Sequence, residues 1–291
     1  MRLESSTVLF PQRLAFLQRR KMIRSIALTV ARYTPTPIKQ IVHRHRHLDR
    51  LTRRIFSLLA RTDSEIAFIE SGPMAGLRLA IGEHTSHAHI SGTYELDTQM
   101  AIARLVRPDF VCYDIGASIG YLSLLMAHRA RQVYAFEPAP HAAAEIERQA
   151  AVNGFSNISV IRQPVSDDGR LVTFAITDVA YGSAIAYGDT KWPTIQVETL
   201  TLDKFIEDHP APDFIKIDVE GEEGRVLAGA RELLRHKRPI ICCEIHNEKA
   251  AHEVQQTLSQ HSYDITDLSG VPFQLKGAII PGEFQIIAAP R

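Results

Sequence analysis

Four carboxylates and a lysine crowd into FIKIDVEGEEG, Phe214 to Gly224, a stretch that otherwise has the make-up of a buried strand. Strand alternation puts Phe214, Lys216, Asp218 and Glu220 on one face and Ile215, Ile217 and Val219 on the other. Burying a charge is costly unless it is paired or put to chemical use. Asp218 and Glu220 are therefore the first candidates for proton transfer or for orienting a polar reactant. Lys216 reads as a counter-charge to one of them, because a lysine in a central strand needs one. Glu222 and Glu223 have a plainer reading as acids in the first turn of a helix, where negative charge suits the dipole. A second cluster, Glu244, His246 and Asn247, ends the apolar run in EIHNE. Asp218, Glu244 and His246 together offer hard oxygen ligands and one imidazole. Such a set could hold Mg²⁺ or another divalent cation that lowers a hydroxyl's pKa. Alternatively, Glu244 and His246 simply line an acceptor pocket, with His246 as hydrogen-bond donor or base.

A glycine-containing loop lies upstream in YDIGASIGY, with Asp114, Gly116, Ala117, Ser118 and Gly120. Glycine is needed where a ligand meets the backbone closely or where a turn demands unusual dihedrals. A further acid, Glu137, closes the next apolar run in AFEP, 21 residues after Gly116. That spacing suits a carboxylate that grips ribose hydroxyls. A dinucleotide fingerprint would carry glycine where Ser118 stands, and Asp114 would repel a diphosphate. A ligand with a ribose, a cationic centre and no phosphate fits better. S-adenosylmethionine is such a ligand, with its ribose at Glu137 and its amino-acid tail and sulfonium near Asp114. The plain alternative is a glycine turn that only packs a helix on a sheet.

These residues need elements to position them. From residue 110 strand-like and helix-like runs alternate: FVCYDI, helix 120–129, QVYAFE, helix 139–153, ISVIRQPV, LVTFAIT, TIQVETL, a helix starting near Leu202, DFIKID, helix 222–235, PIICCEI, helix 248–261, YDITDL and FQIIAAP. The helix 222–235 has Val226, Leu227, Ala230, Leu233 and Leu234 on one face. Alternation of this kind implies a parallel sheet covered on both faces, with ligands beyond the carboxyl ends of its strands. Before it, residues 65–92 read as a hairpin split by Gly-Pro and Gly, followed by a helix over 94–106.

The 291 residues suffice for one large domain with an extension. Three cysteines, Cys112, Cys242 and Cys243, lie in apolar runs without zinc spacing and read as buried reduced thiols. There is no apolar run of transmembrane length and no apolar signal core, so cytoplasmic placement is the expectation. Net charge is zero overall, yet residues 1–62 hold 14 basic residues against two acids. A basic helical extension over 1–62 and a body over 63–291, with its core at 94–270, follow from that asymmetry. The helix over 13–31 has an apolar face, and a helix over 38–61 carries His43, His45 and His47 in what reads as a solvated basic surface. The extension is expected to dock on the acidic body or on a second subunit of a homo-oligomer. Peripheral contact with an anionic membrane is the alternative. Nucleic acid is not expected, because no aromatic platform accompanies the charge.

The motifs DIGASIG, AFEP, NGFSNISV, VETLTLDKFI, FIKIDVEGEEGRVLAGA and ICCEIHNE stand in the order seen in the FkbM family of S-adenosylmethionine-dependent methyltransferases, which the chain resembles over about 90–270. GTYE, Gly92 to Glu95, resembles the element that precedes the glycine loop in that family. The resemblance implies an α/β fold: a class I methyltransferase Rossmann-like sheet of seven strands, the last antiparallel. It implies O-methylation of a sugar, glycan or polyketide-type acceptor. It also implies donor contacts from Glu95, Asp114, Gly116, Ala117, Ser118, Gly120, Tyr121, Glu137, Pro138, Val165, Ser166 and Asp218. On that sheet Asp218 emerges beside the methyl donor, where it, Glu220 and His246 are the candidate catalytic groups. A nicotinamide-dependent oxidoreductase is disfavoured by Asp114 and Ser118. A non-catalytic methyltransferase-like binding module is disfavoured by the presence together of Asp114, Gly116, Glu137, Asp218 and Glu220.

Overall fold

A computed structural model describes residues 66–177, 183–273 and 284–291. The chain divides into two compact units, residues 1–67 with 81–87 and residues 68–80 with 88–291. The readings of 1–62 as a basic helical extension that docks or lies on a membrane fall outside the described residues. Within 81–87, Gly82 N donates to Thr85 Oγ1 in a short turn. Everything below concerns the second, larger unit, apart from the one residue at the end of α1 and the two of β1 that lie in the first. Among the described residues no helix is long and apolar enough to cross a membrane.

In chain order the elements are β1 (Ile66–Phe68), β2 (Arg78–Ala80), α1 (His87–Ser91), α2 (Leu96–Leu105), β3 (Val111–Ile115), α3 (Tyr121–Arg129), β4 (Gln132–Phe136), α4 (Pro140–Asn153) and β5 (Ile158–Ile161). Then come β6 (Leu171–Ala175), β7 (Ala184–Ile185), β8 (Thr194–Glu198), α5 (Leu202–Phe205), β9 (Phe214–Ile217), α6 (Glu223–Ala228), α7 (Arg231–His236), β10 (Ile240–Ile245), α8 (Glu248–Gln260), β11 (Tyr263–Thr266) and β12 (Phe284–Pro290). Seven strands form one sheet in the order β11-β12-β10-β9-β3-β4-β5. The pairs of β3 with β4 and β9, of β4 with β5 and of β9 with β10 are parallel, while β12 runs antiparallel between β10 and β11. This is the class I methyltransferase sheet, with its last strand antiparallel as expected.

Short-range chemistry sets the element ends. Pro140 opens α4 and Gly154, in the left-handed region, closes it, the asymmetry expected of helix termini. The Asn247 side chain accepts from Ala250 N and so caps α8. The hairpin reading holds within residues 68–80, where Ile69 N donates to Leu77 O and Gly76 N to Ile69 O. Its far end, though, is the short helix α1 rather than strand.

One expected helix is two. Over 222–235 the apolar period is continuous, yet α6 stops at Ala228 and α7 starts at Arg231. A side chain at Gly229 would lie 2.1 Å from Ser166 O, so the backbone there is pressed onto a neighbouring loop. The Asp203 carboxylate then accepts from Glu232 N and Leu233 N, which starts α7 afresh. LVTFAIT and TIQVETL do not join the main sheet: β6 lies between β7 and β8 in a separate antiparallel sheet. Phe174 of that sheet packs with Ala139 and Ala142 at the start of α4. The three cysteines are buried and unpaired.

Candidate active site

Strand register builds the site. Ile115 pairs with Phe136 and with Ile217, and Ile217 pairs with Cys243. One residue further on, Gly116, Glu137, Asp218 and Glu244 therefore stand side by side at the carboxyl edge of four adjacent strands. Asp114 pairs with Lys216 and Lys216 with Cys242. With a side-chain period of two, Asp114, Lys216, Asp218 and Glu244 share one face of the sheet.

Gly116 makes the close approach possible. Its φ is 79°, and a Cβ there would sit 1.8 Å from Asp218 O. Its demand is thus strand against strand, in addition to any ligand. Asp218 N donates to Ile115 O, which ties the end of β9 to β3. The loop then turns through Ser118 and Gly120, both at positive φ, into α3.

Glu137 is almost wholly buried, 6% exposed. One carboxylate oxygen accepts from Ser118 N and the other from Ala139 N, both at 2.9 Å. Burial pushes its pKa up to about 7 against the pull of those two amides. Each carboxylate oxygen can accept more than one hydrogen bond. The residue lines a small cleft with Gly116, Pro138, Val165, Phe174, Ile185 and Asp218 among its walls. A ribose on Glu137 with a flat base among Pro138, Val165, Phe174 and Ile185 suits this composition.

Behind the cleft Lys216 is buried and holds several acids. Its Nζ lies 3.0 Å from Asp218 Oδ2 and 3.7 Å from Asp114 Oδ1, and it donates to Gly116 O at 3.3 Å. Burial opposes its charge, but Asp218, Asp114 and Glu95 outweigh burial and keep its pKa above the ordinary lysine value. Asp114 is fully buried and accepts from Ser123 Oγ; burial raises its pKa although Lys216 pulls the other way. Glu95, at the start of α2 with φ 43°, is likewise raised by burial against the pull of Lys216. Glu95 Oε2 and Asp114 Oδ1 are buried without hydrogen-bond partners among the described residues. Glu244 accepts from Gln285 Nε2 at 2.7 Å, and Gln285 Oε1 in turn accepts from Thr98 Oγ1. Burial first, and then Asp218, push Glu244 up to about 7.

His246 stands at the far rim. Its Nε2 lies 3.5 Å from Asp218 Oδ1 and 3.8 Å from Glu220 Oε2. Its Nδ1 lies 2.8 Å from Glu223 Oε1. Burial works against its charge, but Glu223 and then Asp218 and Glu220 overcome it and raise its pKa to about 9. At neutral pH His246 is therefore an imidazolium, a donor from both nitrogens rather than a base.

The expected residues divide. Gly116, Glu137, Pro138, Val165 and Asp218 line the cleft together. Asp218, Glu220 and His246 are neighbours. Ala117, Ser118 and Gly120 form the loop whose Ser118 amide holds Glu137. Tyr121 turns elsewhere: its hydroxyl donates to His89 O. Ser166 is buried, with its hydroxyl donated to Asp167. The set Asp218, Glu244 and His246 does not assemble as a cation site, because Glu244 is turned to Gln285 while His246 is held by Glu223. Among the described residues no group of three His, Cys, Asp or Glu side chains is arranged for a metal ion. Glu223 does sit in the first turn of α6, as read from the sequence, but it is also fully buried and bonded to His246, a contact the sequence reading did not give. The nearby signal was the pair Gly221 and Gly224, which mark a crowded segment: side chains there would strike Asn247 and Glu253.

The chain's residues 114–265 match the methyltransferase FkbM domain model. The hexuronic acid methyltransferase AglP of Haloferax volcanii is 27% identical over 182 residues, which is 60% of this chain and 73% of that protein. Among solved structures, methyltransferase FkbM of Methylobacillus flagellatus is similar with 17% identity and a TM-score of 0.41, covering 70% of this chain and 55% of that one. Precorrin-6y C5,15-methyltransferase of Geobacter metallireducens has 14% identity and a TM-score of 0.43, covering 70% of this chain and 93% of that one. With its family model matched over more than half its length, the chain belongs to the FkbM family of S-adenosylmethionine-dependent methyltransferases.

Proposed function

We propose that the protein is an O-methyltransferase that moves the methyl group of S-adenosylmethionine to a hydroxyl of a sugar or glycan. The observation that carries this reading is the position of Asp218. One of its oxygens is anchored on Lys216 and the other faces His246, whose Nε2 also lies near Glu220, and Asp218 itself lines the cleft with Glu137. The naming of a relative as a hexuronic acid methyltransferase supports a sugar acceptor.

In this reading Glu137 takes the ribose hydroxyls, the loop 116–118 backs the donor, and Pro138 and Val165 flank the base. The buried carboxylates of Asp114, on the sheet face shared with Asp218, and of Glu95, at the start of α2, are the acids the cationic end of the donor would meet. The bound donor supplies an electrophilic methyl carbon. Asp218 orients the acceptor hydroxyl and receives its proton as the O–CH₃ bond forms and the S–CH₃ bond breaks. With the donor bound, the Asp218 carboxylate would end the transfer protonated, which balances the positive charge that sulfur would give up. Lys216, 3.0 Å from its inner oxygen, fixes the direction of the Asp218 carboxylate beforehand. His246, as a cation, steadies the outer oxygen of Asp218 and the Glu220 carboxylate.

The experiment is calorimetric titration of S-adenosylmethionine into the wild-type protein and Glu137→Ala. Charge-assisted hydrogen bonds are worth about 1.5–3 kcal/mol each, so the variant should bind at least about tenfold more weakly with its fold intact. Tight binding of NADH with none of S-adenosylmethionine would overturn the reading.

A further inference from the structure

We propose that Glu223 is a positioning residue for methyl transfer: from inside the protein it fixes the ring of His246 so that Nε2 faces Asp218 and Glu220. The proposal rests on the reading above that these two acids meet the acceptor.

Glu223 is an unusual first-turn acid. It is 0% exposed, and one carboxylate oxygen is shared between Gly221 N at 2.9 Å and His246 Nδ1 at 2.8 Å. Its second oxygen is buried without a hydrogen-bond partner among the described residues. A carboxylate placed to improve a helix dipole sits in water and costs little. One that is fully buried costs several kilocalories unless a partner repays it, and here the partner is the imidazole. The backbone has been bent to allow the contact. Gly221 takes φ 105°, and its missing side chain leaves room for Asn247, the residue after His246. At Gly224 an added Cβ would lie 2.3 Å from Glu253, so α6 and α8 press together on either side of the pair. The ring is therefore located from two sides: it follows directly on β10, and α6 bonds it through Glu223.

A hydrogen bond from Nδ1 to Glu223 decides which ring nitrogen is left for chemistry. Nε2 is then the atom that meets Asp218 Oδ1 at 3.5 Å and Glu220 Oε2 at 3.8 Å. The charged groups around the ring are Glu223 from α6 and Asp218 and Glu220 from the turn after β9, with Lys216 behind Asp218. Without Glu223 the ring has no bond to hold Nδ1 and is free to rotate, so Asp218 loses its outer support. Glu223 does not line the cleft, and its one side-chain partner among the described residues is His246, so its effect on Asp218 passes through the ring.

The test uses the full chain as wild type, Glu223→Gln, His246→Gln and the double variant. Turnover is measured with a hydroxylated sugar acceptor, donor binding by calorimetry, and the ring by NMR of ¹⁵N-labelled histidine. Glu223→Gln should lower kcat at least about tenfold with donor affinity unchanged. The nitrogen signals of His246 should show loss of the fixed Nδ1–H. In the His246→Gln background, Glu223→Gln should cost nothing further, because the effect passes through the ring. Additive losses, or His246 signals unaltered by Glu223→Gln, would overturn the proposal. Wild-type turnover in His246→Gln would instead refute the catalytic reading of His246, while the NMR result still reports the Glu223 contact on its own.

Discussion

Glu137 has both a raised pKa, about 7, and the task of accepting hydrogen bonds from a ribose. The two facts pull stability and binding in opposite directions. Its folded pKa lies above the ordinary carboxylate value, so between that value and about 7 the folded state binds the proton more strongly. The contribution of Glu137 to stability is thus greatest at low pH and declines as pH rises through that window. Donor binding should run the other way, since ribose hydroxyls donate best to the ionised carboxylate. The thermal shift given by S-adenosylmethionine is expected to grow from about pH 5.5 to about pH 8.5, and Glu137→Gln should flatten that growth. A shift independent of pH in the wild type would remove Glu137 from the donor site. Asp218→Asn tests the acceptor side. It should depress turnover about a hundredfold or more while donor affinity holds, because the lost charge acts on the hydroxyl; near-normal turnover would take Asp218 out of the mechanism. These residues were legible because strand alternation and loop-to-acid spacing are local. The role of Glu223 was not, because a first-turn acid looks the same in sequence whether it meets water or a histidine 23 residues away.

Among the elements, the glycine loop is constrained twice, by its turn and by the strand beside it. Gly116→Ala would place a Cβ against the Asp218 carbonyl at a φ that side chains avoid. Alanine at positive φ alone costs about 1 kcal/mol or more, and the backbone clash adds to it. Calorimetry of unfolding should show a fall in Tm of several degrees together with loss of donor binding. A variant with wild-type Tm would mean the two strand ends part without cost. The alternation of strands and helices was readable because each strand is a short apolar run with clear breakers. The break between α6 and α7 was not readable: Val226, Leu227, Ala230, Leu233 and Leu234 keep a helical period straight through it. What interrupts the helix is the contact of Gly229 with Ser166 and the cap from Asp203, both tertiary. The separate sheet of β6, β7 and β8 was hidden for a similar reason, since an apolar strand does not announce which sheet it will join.

Across the whole molecule, the last strand in sequence fills an inner place in the sheet. β12 lies between β10 and β11, and Ile286 and Ala288 on it are fully buried. Ending the chain before Phe284 would leave β10 and β11 without their shared neighbour and Glu244 without Gln285. Several kilocalories of apolar burial would go with it, against a typical total stability of only about 5–15 kcal/mol. The shortened chain should lose its cooperative thermal transition; a retained transition would show that β12 is dispensable. The cysteines extend this to a property of the intact protein. Cys112, Cys242 and Cys243 sit on β3 and β10 in the middle of the sheet, and burial raises all three thiol pKa values, that of Cys242 to about 12. In the native state they are shielded from alkylating reagents both by access and by protonation. Labelling therefore waits for the sheet to open, and the rate at which the three thiols are modified becomes an internal clock for global unfolding, one that a bound donor should slow.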